Sequence, residues 1–122
     1  MAEKATNQNW LDQVQEEALE PELPIIDPHH HLWDQKVGRV NPKYFLEEML
    51  EDTNSGHNIV ATVFIECGAM FRADSPDYLK PLGETEFVNG IAAQSASGIY
   101  GPTRVAAGIV GTMDWRRGAG VA

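Results

Sequence analysis

Two uninterrupted apolar runs constrain this chain most: residues 59–67 (IVATVFIEC) and 104–112 (RVAAGIVGT). A strand with one wet face alternates apolar and polar residues, and these runs do not. Continuous β-branched and aromatic sequence is how a strand buried on both faces reads, and such strands belong to parallel sheets with helical crossovers. A third, shorter run (Leu23, Ile25, Ile26) leads into Asp27-Pro28-His29-His30-His31.

The segments between the runs have helical spacing. Asn41-Pro42 offers a cap and a proline at the first helical position. Phe45, Leu46, Met49 and Leu50 follow on one side with Glu47, Glu48 and Glu51 on the other, and Ser55-Gly56 supplies a stop. Gly83-Glu84-Thr85 opens a second helix with an apolar stripe of Phe87, Val88, Ile91 and Ala92, and Gly98 closes it. Upstream, residues 7–19 read as a weak helix with Trp10, Leu11, Val14 and Ala18 on one face, ended by Pro21 and Pro24. The organisation expected is an N-terminal extension over 1–22, packed on the outside, and an α/β domain over 23–122.

Strand, helix, strand, helix, strand is βαβ alternation. Three parallel strands and two helices leave sheet edges open and apolar faces uncovered. A (β/α)8 barrel needs about 250 residues, and the 122 residues here read as the N-terminal part of such a TIM barrel. The small-residue stretch at 118–122, directly after the third run, reads as an interruption where a helix should begin. The rival is a small complete α/β domain that buries its open edge as a homo-oligomer.

Charge and composition narrow the partners. Nine Lys and Arg against eighteen Asp and Glu give a net charge of −9, which argues against nucleic acid, since phosphate binding needs clustered cations. No apolar stretch reaches the length of a membrane span. The polar residues 1–9 lack an apolar signal core, so the cytoplasm is the default compartment. Cys67 stands alone in an apolar run, which excludes an intramolecular disulfide and reads as a packed, unreactive thiol.

The chemistry concentrates at 24–34 (PIIDPHHHLWD). Alternate strand residues share a face, so Ile25, Asp27, His29 and His31 point one way and His30 the other. Two imidazoles on one face at the end of a strand form half of a divalent-metal site, with zinc the leading candidate. A surface histidine cluster is the bland alternative. A tag remnant does not fit, because the triplet is internal and flanked by Pro28 and Trp33.

These residues resemble the amidohydrolase superfamily, in particular the amidohydrolase-related group of sugar lactonases, pyrone-dicarboxylate lactonases and metal-dependent decarboxylases. The likeness runs from about residue 19 to 111 and is carried by IIDPHHHLWD, VFIECGAMFRAD, GETEFVNGIAAQSASG and GPTRVAAGIVG. It implies a metal at the C-terminal mouth of a distorted TIM barrel, with His29 and His31 as two ligands. Further histidines from later strands and an Asp from the last strand, which activates water, complete that pattern. Here the only histidine outside the triplet, His57, lies between the first helix and the second strand, at the stability end of a barrel. The general base is therefore expected beyond Ala122. Some members of the group work without metal.

Period two puts Val60, Thr62, Phe64 and Glu66 on one face, with polar Thr62 and Glu66 marking it as the barrel interior. Glu66 would then stand beside the histidines, orienting a ligand or binding substrate hydroxyls, or pairing with a loop Arg. Asp27 supports a ligand or caps the turn. In the loop over 68–82, Arg72 could clamp a substrate carboxylate bidentately or pair with Asp74 or Asp77. Trp33, Tyr78, Asp114 and Trp115 either line the pocket or pack.

The function expected of the parent is a metal-dependent hydrolase acting on a lactone, amide or carboxylated small molecule through metal-activated water. A decarboxylase is the nearest variant on the same scaffold. The competing class is a non-catalytic fragment or weak metal-binding module using His29, His30 and His31. A nucleotide binder is set aside, since no Gly-rich loop follows the first strand.

Overall fold

The computed structural model describes residues 10, 12–34 and 43–121. Residues 35–40, the cap-and-proline pair Asn41-Pro42 and the start of the expected N-terminal helix (7–9 and Leu11) lie outside the described residues. Strand β1 is Pro24–His30, β2 is Trp33–Asp34, β3 is Lys43–Tyr44, helix α1 is Leu46–Thr53 and β4 is Asn58–Ile65. Helix α2 is Leu82–Ala96 and β5 is Arg104–Val110. Short 3-10 turns occupy Asp77–Leu79 and the two sides of Gly118.

The expected α/β alternation is present. β1, β4 and β5 form a three-stranded sheet in the order β1-β4-β5, with both pairings parallel. Among the described residues the strands do not close into a barrel. β2 and β3 add a two-residue antiparallel ribbon, pairing Trp33 with Tyr44 and Asp34 with Lys43. That ribbon moves the start of the first helix. Lys43 and Tyr44 are strand, and α1 begins at Leu46, where the Glu48 carboxylate reaches back to accept the Phe45 N–H at 2.8 Å. The extension also differs from expectation. Residues 12–19 carry no helix, and Trp10, Val14 and Leu19 are exposed. A short helix needs a packed face to persist in water, and Trp10 and Val14 of the expected stripe are not packed.

The core is Leu32, Leu46, Met49, Phe64, Val88, Val105 and Ala106, flanked by Tyr44, Leu50, Phe87, Ile91, Ala92 and Ile109. It therefore lies between the two helices and one face of the sheet. Val88 sits in the middle of the anticipated α2 stripe, and Gly98, at φ +78°, follows the helix as the expected left-handed stop. Buried Ser95 ties α2 to the sheet, accepting the Val105 N–H and donating to the Thr103 carbonyl, both at 2.9 Å.

The two faces of β4 are the reverse of the sequence reading. Thr62 and Phe64 are wholly buried, and Phe64 packs with Leu46, Met49 and Val88 from the helices. Polar Thr62 looked like an interior-facing residue because its hydroxyl has no partner in the sequence. In the fold that hydroxyl accepts the Ala106 N–H at 2.9 Å. Ala106 has φ +53°, and the β4–β5 register jumps from Ala61↔Arg104 to Val63↔Gly108, so the Thr62 side chain supplies a ladder bond that the bulge removes. The opposite face, with Ile26 beside Ala61, then Val63, then Ile65 beside Val110, has no helix over it among the described residues. The burial on both faces expected from the apolar runs is met on one.

Candidate metal-binding site

The three sheet strands run parallel, so their carboxyl ends gather at one edge, where ligands of open α/β sheets bind. β1 reaches it through Asp27-Pro28-His29-His30. The Asp27 Oδ1 accepts the His29 N–H at 3.0 Å, and the pairing with β4 shifts from Asp27↔Thr62 to His30↔Phe64. Proline lacks a donor for the ladder, so a bulge at Pro28 costs the sheet little.

His30 turns into the core because of the bulge: alternation from Ile26 would leave it on the open face, and the register shift after Asp27 brings it opposite Phe64. It is buried edge-on to Phe64, with ring centroids 5.8 Å apart, and neither ring nitrogen has a hydrogen-bond partner. Burial pushes its pKa below the ordinary imidazole value.

His29 and His31 converge instead. Their rings meet edge to face at 90° with centroids 4.9 Å apart, and the two Nε2 atoms are 3.3 Å from one another. His31 Nδ1 lies 2.8 Å from the Ile65 carbonyl at the end of β4. A carbonyl can only accept, so Nδ1 carries the proton and Nε2 presents its lone pair. Trp33 stacks on the outer side of His31 at 5.8 Å and 28°, which fixes the ring plane. Trp33 in turn leans on Tyr44, whose hydroxyl donates to Asp52 at 2.5 Å. Burial and that bond raise the Tyr44 pKa.

The geometry of the pair fits a metal. Tetrahedral zinc with Zn–N bonds of about 2.0–2.1 Å separates two ligand nitrogens by about 3.3 Å, the spacing seen here. The Ile65 carbonyl on the far nitrogen is the kind of partner that orients a ligating imidazole. Among the described residues no group of three or more His, Cys, Asp or Glu converges on one point.

The other singled-out residues fall in different places. Asp27 caps the turn beneath His29. Glu66 directly follows Ile65, is exposed, and its N–H continues the ladder to Val110; no side-chain contact joins it to the histidines. Arg72 is held away from them by a two-bond ion pair with Glu86 of α2, and Asp77 pairs with Lys80 at 2.7 Å. Tyr78 lies under the Arg117 guanidinium at 3.7 Å. Both border an open cavity of about 610 Å³ with Phe71, Met113 and Asp114, whereas Trp115 is exposed. His57 sits just before β4, at the opposite end of the sheet.

Sequence reading missed Glu84. It looked like a routine acid in the first turn of a helix, yet it is only 1 % exposed. Its Oε1 accepts the N–H groups of Cys67 at 3.0 Å and Ala69 at 2.7 Å, and the Cys67 thiol at 3.5 Å. The thiol also lies 3.6 Å from the Leu32 carbonyl. Cys67 is thus outside the strand and exposed, not packed as its apolar run suggested, yet partial burial of its sulfur pushes the thiol up to about 11 and keeps it protonated.

No protein-family profile matches the chain, and no solved structure does. An uncharacterized protein, y4mH, of Sinorhizobium fredii (strain NBRC 101917 / NGR234) is 27% identical over 114 residues, covering 79% of this chain. The match takes in 33% of the relative, so the chain spans about a third of the length of the curated relative it resembles.

Proposed function

We propose that His29 and His31 are two protein ligands of a divalent-metal centre of amidohydrolase type. The chain would form the first strands of a TIM barrel whose whole hydrolyses a lactone, amide or carboxylated small molecule. The observation that carries the reading is the 3.3 Å approach of the two Nε2 atoms, with His31 Nδ1 tied to the Ile65 carbonyl. Their place at the carboxyl ends of parallel strands supports it. So does the apolar face left open by Ile26, Val63 and Val110, which further strands of a barrel would cover.

His29 and His31 would hold such a metal, zinc first, and the chemistry it would supply when bound is a lowered water pKa and a polarised carbonyl. The residues in hand hold and orient. Asp27 fixes the turn that brings His29 round, Ile65 and Trp33 set the ring of His31, and His30 packs beneath. Remaining ligands and the general base would come from sequence beyond the described residues. A decarboxylase would use the same two ligands. A two-ligand, weakly metal-binding module is the second reading, favoured by the absence of a third converging donor among the described residues.

Titration of the chain with Co²⁺ tests the centre. Stoichiometric uptake with visible d–d absorption is expected, and His29→Ala and His31→Ala should each weaken it at least tenfold. Unchanged uptake in the double variant would refute the site. Chelation that leaves lactone hydrolysis by the longer parent undiminished would refute the metal-dependent activity.

A further inference from the structure

We propose that Glu84 is a positioning residue for the His29–His31 pair, holding the end of β4 and the histidine loop at a fixed height through Cys67. Glutamate is almost never fully buried unless its oxygens are matched by donors. Here Oε1 takes all three donors, and Oε2 has no partner. Those donors belong to the segment where β4 stops and the chain has no further ladder. Without Glu84 the N–H groups of Cys67 and Ala69 would lose the protein partner that holds them.

The segment is also clamped sterically. Gly68 and Met70 adopt φ of +84° and +56°, and a Cβ on Gly83 would collide with the Met70 carbonyl and the Arg72 nitrogen. Loop 67–72 is therefore moulded onto the first turn of α2. From there two short links reach the candidate ligands. The Cys67 thiol touches the Leu32 carbonyl, one residue after His31, and Ile65, two residues before Cys67, holds His31 Nδ1. A shift of the Cys67 backbone moves both ends of that frame. The functional meaning of this positioning rests on the metal reading above, but the positioning itself is measurable without metal.

The experiment follows the His31 ring by imidazole ¹⁵N NMR in the metal-free full chain, well above the usual imidazole pKa of about 6.5. Wild type should show the Nδ1–H tautomer at His31. Glu84→Gln keeps an acceptor and should preserve it, with slow exchange of the Cys67 and Ala69 amides. Glu84→Leu should lose amide protection and shift His31 toward the Nε2–H tautomer. Co²⁺ affinity in that variant should fall about 10–100-fold, the range for losing ligand-orienting partners. A folded Glu84→Leu chain with the His31 tautomer unchanged would overturn the proposal. Should that variant not fold, Glu84→Asp withdraws the carboxylate by one methylene. The His31 ring signals must then move together with the Cys67 and Ala69 amides, and movement of the amides alone would equally overturn it. If wild type takes up no Co²⁺, the metal reading fails, and the tautomer still decides the role of Glu84.

Discussion

His30 and His31 are neighbours in sequence and opposites in chemistry. One is buried against Phe64 with both nitrogens unpartnered, and the other is tethered and stacked at the edge. The pKa of His30 is lowered by burial, so the folded state disfavours its proton. Its contribution is constant above the unfolded value of about 6.5 and is lost as pH falls from there toward the folded value. Urea unfolding across that window should show stability dropping with acid, and His30→Leu should flatten that part of the profile. At the same scale, Thr62→Val keeps the shape but removes the acceptor of a buried N–H. A loss of about 1–3 kcal/mol is expected in denaturant unfolding.

At the scale of elements, the joints matter more than the helices and strands they connect. α2 is fixed to the sheet at one end by Ser95 and to loop 67–72 at the other by Glu84 and Gly83. Gly83→Ala forces two backbones apart and should cost about 1–3 kcal/mol, read as a lower Tm. β4 and α2 were legible as elements because a β-branched run and a 3.6-residue stripe are local patterns. The β2–β3 ribbon was not, since a two-residue pairing leaves no periodicity and depends on Tyr44 being anchored by Asp52. The start of α1 moved for the same reason.

The whole molecule has one sheet face under helices and one without among the described residues. Ile26 is 62% exposed and Val110 48%, on a face shared with Val63 and Ile65. Contiguous apolar surface of this kind drives association. Sedimentation of the 122-residue chain should therefore depend on concentration, and Ile26→Lys with Val110→Lys should reduce that dependence. A monomer at all concentrations would count against the open face being sticky. The −9 net charge opposes association, so added salt should strengthen it.

The sequence by itself determined the βαβαβ order, the parallel sheet it leads to, and the opposed directions of His30 and its neighbours, because each follows from local period and from the short reach of the chain. Tertiary structure alone decided which face of β4 is core, that Thr62 serves a bulge in β5, that Arg72 pairs with Glu86, and that Glu84 is buried under the end of β4. Those facts depend on groups brought together from 14 to 44 residues apart, where no spacing rule applies and the hydrogen-bonding needs of buried backbone choose the partners.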